Sequence, residues 1–214
     1  MSRSIAVLGL GRFGKKLALS LYDMGEEVMA IDKNAELVEA VSGGVTYAVE
    51  ADVSNADALK GVNIGDMDTV VVAMGSDLTA SIMAVMVSKE QGVPHVIAKA
   101  ADERMGEILK KVGADKIIFP EEETGLRTAR RLASDSFLDF FDIDDNLCLV
   151  EIMPKPEWIG KNLIELNLRE KYRVNVVAVK DHSEMRSFID PKRPLENDTE
   201  LLVIIEKADL KLIK

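Results

Sequence analysis

Ser4-Ile5-Ala6-Val7-Leu8-Gly9-Leu10-Gly11-Arg12-Phe13-Gly14 carries an apolar run, suited to a buried parallel strand, straight into three closely spaced glycines. Leu17, Ala18 and Leu21 then repeat at helical spacing. Strand, tight turn and helix in that order open a dinucleotide-binding βαβ unit. In such a unit Gly9 allows the turn, Gly11 lets a pyrophosphate approach the main chain, and Gly14 lets helix and strand pack closely. Free N–H groups at the helix start hold the phosphates. The glycine pattern alone is a weak sign, because glycines also gather in ordinary loops. Here a second strand, Val28-Met29-Ala30-Ile31-Asp32, ends in an acid at about the expected 20-residue distance. Asp32 is placed to accept hydrogen bonds from a ribose diol and to repel a 2′-phosphate, which disfavours NADP. The agreement of all these parts points to a nucleotide-binding fold.

Working outward, Gly25 suits a left-handed helix cap, and Asn34 precedes an apolar face of Leu37, Val38 and Val41. Thr46-Tyr47-Ala48-Val49-Glu50-Ala51 reads as a third strand ending at Asp52. Thr69-Val70-Val71-Val72-Ala73-Met74 reads as a central strand buried on both faces. His95-Val96-Ile97-Ala98 and Lys116-Ile117-Ile118-Phe119 follow, each preceded by a helical segment. About six cycles of strand and helix predict an α/β, Rossmann-like doubly wound parallel sheet. Right-handed crossovers gather the loops after the strands on one edge. The turn at 9–14, Asp32 to Asn34, Asp52, Gly75, Lys99 and the Pro120-Glu121-Glu122-Glu123 run belong to that edge.

Beyond residue 123 a helix leads to Phe137, Leu138, Phe140 and Phe141, and Asp142-Ile143-Asp144-Asp145-Asn146 makes an acidic break. The rest has strand patterns at 150–153, 175–180 and 201–205, a further candidate at 184–188, and one short helix around 163–172. The expected division is a nucleotide-binding domain over 1–134, a crossover helix and linker over 135–146, and a small α+β C-terminal lobe over 147–214. That lobe is short for a large core of its own, which favours pairing with a second copy.

The chain has 214 residues and a formal net charge of −10. Duplex binding depends on Lys and Arg neutralising phosphates, so nucleic acid is not an expected partner. Lys110, Lys111, Arg127, Arg130 and Arg131 are most simply solvated helix faces. Cys148, the single cysteine, lies in the apolar run Leu147-Cys148-Leu149-Val150 and reads as a buried structural thiol. The absence of any intrachain disulfide fits a cytoplasmic protein. No run reaches the roughly 18 apolar residues of a membrane span, and Met1-Ser2-Arg3-Ser4 enters a strand without a visible leader. An NAD-dependent oxidoreductase is the enzyme alternative, but it needs a proton donor or acceptor near the hydride. The two histidines, His95 and His182, fall at a strand entry and in a polar turn, and no Tyr-x-x-x-Lys pair occurs. A redox-sensing transcriptional regulator is disfavoured by the acidic charge and the lack of a winged-helix segment.

Individual residues carry more than one use. Asn34 serves equally as helix cap or ribose contact. Asp52 is an adenine-edge acid or a turn aspartate. Arg12 departs from a dehydrogenase turn, offering a fork for a terminal phosphate at a helix start where a cation is otherwise unfavourable. Pro120 with Glu122 and Glu123 is ordinary first-turn chemistry. Met83 and Met86 suit core or subunit packing, the Phe137, Phe140 and Phe141 cluster a core or an assembly seam, and Trp158 a structural role.

The chain resembles the cytoplasmic regulatory subunits of Trk/Ktr-type bacterial potassium transport systems. Three features carry the resemblance in the first lobe: the glycine turn with Arg12, Ala30-Ile31-Asp32-Lys33-Asn34, and Val96-Ile97-Ala98-Lys99-Ala100. The run Gly113-Ala114-Asp115-Lys116-Ile117-Ile118-Phe119-Pro120-Glu121 continues it. In the second lobe it rests on Leu166-Asn167-Leu168-Arg169-Glu170-Lys171-Tyr172 and Asn175-Val176-Val177-Ala178-Val179. The resemblance implies a homodimer assembling into an octameric ring, peripheral to the inner face of the cell membrane. The ring would gate a membrane-embedded potassium channel or transporter, with ATP or ADP as the sensed ligand and NAD(H) the second choice. It implies nucleotide contacts from Gly9, Gly11, Arg12, Phe13, Gly14, Asp32, Lys33, Asn34, Asp52, Val53, Gly75, Lys99 and Glu121. Arg12 would reach the γ-phosphate, in its own or a neighbouring subunit, and Glu121 would help hold Mg²⁺ or Ca²⁺ against the phosphates. It further implies a cyclic di-AMP site at Ile164, Arg169, Asn175, Val176 and Pro191 of the C-terminal regulatory lobe, with Arg173 standing where many relatives have glycine.

Overall fold

The computed structural model describes residues 2–132, 137–182 and 184–213, without the side chains of Arg130, Arg131 and Phe137. The chain divides into two compact units, Met1–Glu121 and Glu122–Lys214.

In the first unit β1 (Ser4–Leu8), α1 (Arg12–Asp23), β2 (Glu27–Asp32), α2 (Ala35–Glu39) and β3 (Tyr47–Glu50) form one half of a doubly wound sheet. After α3 (Ala56–Gly61), the other half follows as β4 (Thr69–Val72), α4 (Leu78–Glu90), β5 (His95–Lys99), α5 (Glu103–Lys111) and β6 (Lys116–Ile118). All pairings are parallel, in the order β3-β2-β1-β4-β5-β6. The strand order reverses between β1 and β4, where Leu8 sits opposite Ile31 on one side and Val72 on the other. That switch point is where open α/β sheets bind ligands. Alternation along β1 explains the two layers: Ala6 and Leu8 enter a core with Val70, Val85 and Leu109, while Val7 enters a second with Ala18, Val28 and Val41. A strand buried on both faces has to be apolar, as β1 is from Ile5 onward and β4 from Val70 onward.

α6 (Pro120–Leu132) crosses the boundary between the units. The second unit continues with β7 (Phe137–Asp142), β8 (Leu147–Ile152), α7 (Leu163–Leu166), α8 (Leu168–Tyr172), β9 (Asn175–Asp181), β10 (Glu184–Arg186) and β11 (Glu200–Glu206). Its antiparallel sheet has the order β10-β9-β11-β8-β7. Cys148, Val150, Ile152, Leu201, Val203 and Ile205 alternate onto one face and meet Trp158, Leu166, Leu168 and Val174. Cys148 is buried, its thiol 3.4 Å from the Ile205 carbonyl oxygen that accepts from it.

Three expectations are corrected here. From residue 137 onward, the stretch expected over 135–146 as a crossover helix and linker is a strand and a turn: β7 pairs with β8 from Phe137 to Asp142, and Phe140 is buried in the core. Residues 133–136, which include the expected boundary at 134, lie outside those described. The aromatic run has a sheet edge to complete, and Asp144 turns the chain by accepting from the amides of Asn146 and Leu147, each at 2.7 Å. The units also divide earlier than residue 134. Arg127 of α6 holds Asp139 of β7 at 2.7 Å and lies 4.8 Å over the Phe141 ring, which ties this helix to the second sheet. The single helix expected around 163–172 is two short ones, broken at Asn167 by a left-handed φ of 44°.

Trp158, the only tryptophan, reports on this unit alone. Phe140→Ala is expected to lower the unfolding free energy followed by Trp158 fluorescence in urea by about 3 kcal/mol. A loss under about 0.5 kcal/mol, the usual size for a surface change, would return residues 137–142 to a linker role.

Candidate nucleotide site

The turn after β1 is built by exclusion. Gly9 has φ +93°, donates its N–H to the Ile31 carbonyl at 2.8 Å, and lies where a Cβ would come within 2.5 Å of Met74 Cγ. A Cβ on Gly14 would overlap the Gly9 carbonyl oxygen, so α1 can start on the turn only with glycine there. Gly11 is different: a Cβ on it meets nothing within 4 Å. The main chain there is open to approach, as a pyrophosphate would need. α1 has no side-chain cap and no acid in its first turn. First-turn amides lack intrahelical acceptors, so this helix start is an uncommitted anion cradle. Arg12 lies exposed on it.

Asp32 has a role that sequence reasoning missed. Its Oδ2 accepts from the Leu10 amide at 2.6 Å and its Oδ1 from the Asn34 amide at 2.9 Å, which bolts the glycine turn to the end of β2. A carboxylate keeps further acceptor capacity after two hydrogen bonds, so a ribose contact remains compatible. The Leu10 donor is a main-chain group, and no residue type in the sequence advertises it.

Asn34 is a helix cap, accepting from the Glu36 amide at 2.9 Å. Asp52 is a turn aspartate, accepting from the Ser54 amide at 2.9 Å and the Ser54 hydroxyl at 2.7 Å. Those two bonds, hydroxyl first, hold its carboxyl below the ordinary range, with exposed Lys33 helping slightly. Both follow their strands on the carboxyl edge. Val53 is buried in the core with Leu59 and Ile64.

On the other side of the switch point, the Lys99 stem crosses Gly75 so closely that a Cβ there would lie 2.9 Å from Cε. The Lys99 ammonium is 5.7 Å from the centroid of Phe13 and is ion-paired to Glu121. That pairing holds the Glu121 carboxyl below the ordinary glutamate range, with the Arg12 charge adding a little. The structure thus brings the glycine turn, Phe13, Gly75, Lys99 and Glu121 together, with Asp32 behind the turn. Among the described residues no three His, Cys, Asp or Glu side chains form a metal cluster.

His95 begins β5, at the end of that strand opposite the glycine turn, and His182 is exposed in the second unit beside Asp198 at 2.7 Å. Neither stands ready for hydride chemistry. In the second unit Ile164, Arg169, Asn175 and Pro191 are exposed and Val176 is half-buried against the core. Arg173 has a left-handed φ of 56°, the conformation that favours glycine, and pairs with Asp209 at 3.3 Å.

The parallel sheet, its switch point and this cradle define a protein of the Rossmann-like ligand-binding class, followed by a small antiparallel lobe. The TrkA-N domain model matches residues 5–120 and the TrkA-C domain model residues 147–214. The chain belongs to the family built from these two domains. Ktr system potassium uptake protein A of Bacillus subtilis is 32% identical over 210 residues, covering 98% of this chain and 95% of that protein. The protein of the same name from Vibrio alginolyticus is 34% identical over 207 residues, covering 97% and 94%. Both relatives are named for potassium uptake. Among solved structures, the GsuK channel superposes with a TM-score of 0.71 at 15% identity over 99% of this chain, and this chain spans 39% of that one. The GsuK channel bound to NAD gives a TM-score of 0.68, also at 15% identity, over 100% of this chain and 39% of that one. These likenesses show the fold. No helix among the described residues is long and apolar enough to cross a membrane.

Gly14→Ala is expected to lower stability in urea by about 2 kcal/mol or more through overpacking. Gly11→Ala should leave stability nearly unchanged and weaken anion binding; equal losses in both variants would contradict the division of roles. In a carboxyl-resolved NMR titration, Glu121 should titrate below free glutamate and move upward in Lys99→Met. Its folded value is depressed, so the pair's contribution is complete above the unfolded value and is lost as pH falls through the folded one. An unmoved titration in Lys99→Met would discount the pair.

Proposed function

We propose that this protein is the nucleotide-sensing regulatory subunit of a membrane potassium channel or transporter. It lies in the cytoplasm, peripheral to the inner face of the cell membrane. The observation that carries this reading is the open cradle at α1, flanked by Arg12 and Lys99, in a chain whose relatives are potassium uptake proteins along nearly their whole length. ATP and ADP are the preferred ligands. Arg12 presents a cationic fork at the end of the cradle, where a third phosphate adds charge for it to hold. NAD(H) is the second choice, as for the GsuK channel solved with it.

Gating follows from differential binding: each nucleotide favours one arrangement of the protein, and the population shifts accordingly. ATP with Mg²⁺ or Ca²⁺ on Glu121 favours the conducting state and ADP the resting state. The division into a nucleotide-binding domain and a C-terminal regulatory lobe serves this scheme. Homodimers would assemble into an octameric ring, with Arg12 reaching a γ-phosphate in its own or the neighbouring subunit. Cyclic di-AMP would bind between two C-terminal lobes at Ile164, Arg169, Asn175, Val176 and Pro191: an arginine for phosphate, an amide for a base edge, and apolar walls.

Light scattering of the purified protein, with calorimetric titration of ATP, ADP, NAD, NADH and cyclic di-AMP, tests the reading. A multimer that binds ATP and ADP is expected. Arg12→Ala should weaken ATP by about tenfold or more, the size of a charge-assisted hydrogen bond, and ADP less. A stable monomer indifferent to every ligand would sink it.

A further inference from the structure

Lys99 and Glu121 partner each other in a place where each has another use. Lys99 closes β5 on the carboxyl edge, its stem over Gly75 and its ammonium near the Phe13 ring. Its side chain is 13% exposed, so packing as well as the ion pair sets its position. Glu121 is the second residue of α6, and its side chain is 70% exposed. The ammonium is thereby neutralised beside the cradle, and the carboxylate is filled by a cation that belongs to the protein.

We propose, on the nucleotide reading above, that this ion pair is a built-in stand-in for a nucleotide and its cation. Glu121 takes the place of a phosphate on Lys99, and Lys99 takes the place of a divalent cation on Glu121. A phosphate that draws Lys99 away uncovers the carboxylate. A cation that takes the carboxylate releases the ammonium. Each ligand removes the obstacle to the other, and the linkage is reciprocal by thermodynamic necessity. The site therefore selects a nucleotide arriving with its cation over the same nucleotide bare. Arg12, outside the pair, adds affinity for phosphate without this dependence on the cation.

The test is calorimetric titration of the full chain with ATP, in EDTA and in Mg²⁺, for the wild type, Glu121→Gln, Lys99→Met and the double variant. Glu121→Gln should tighten ATP binding in EDTA by about threefold, as much as an ion pair this open to water can withhold. It should also abolish the enhancement by Mg²⁺. In the Lys99→Met background the same substitution should change ATP binding in EDTA by less than roughly 1.5-fold, because no ammonium remains to be released. Glu121→Ala provides the same comparison if the glutamine variant fails to fold. Equal tightening in both backgrounds would mean that Glu121 acts by repulsion alone; that result overturns the stand-in and leaves the nucleotide reading intact. A wild type that binds ATP in neither buffer overturns both.

Discussion

No side-chain atom fits between Gly14 and the carbonyl of Gly9, and the ligand edge depends on that close approach. It lets α1 begin directly on the turn after β1, with its first amides uncommitted. It sets Phe13 at the place where the Lys99 ammonium passes, and so helps to fix the cation that closes the other side of the switch point. Asp32 secures the same turn from below through the Leu10 amide. An acid expected to serve the ligand thus first serves the backbone that receives it.

Carboxylates in this protein show how environment sets charge. Glu121, open to water and held by Lys99, is pulled below its ordinary range. Glu151 on β8 is pushed up, chiefly by burial and then by Glu200 beside it, and one of its oxygens is buried without a hydrogen-bond partner. Lys180 answers both acids, at 2.6 Å from Glu200 and 3.6 Å from Glu151. The first arrangement leaves its charges exchangeable. The second commits them to joining three strands of the antiparallel sheet.

Periodic burial made most of the first unit legible. β1 and β4 are apolar past their first residues because they are covered on both faces, and the spacing of the strands by helices leaves parallel pairing as the solution. The segment at 137–142 was harder, because clustered aromatic residues suit a helix face, a seam or a strand equally. Only the free edge of β8 makes it a strand. Asn34 and Asp52 were ambiguous for a similar reason: short polar side chains at strand ends bond to their own backbone or to a ligand with the same atoms. Here both bond locally.

The sequence by itself determined the glycine turn, the order of strands and helices in the first unit, the edge on which the loops meet, and the change of character in the second lobe. Each is written in local steric demand or in a repeat of two or 3.6 residues. Tertiary structure alone decided that Asp32 braces Leu10, that Lys99 lies over Gly75 and against Phe13, and that its partner is Glu121. All these contacts join residues 22 positions or more apart, and no periodicity encodes them. They exist because a parallel sheet brings the ends of β1, β2 and β5 and the start of α6 to one edge.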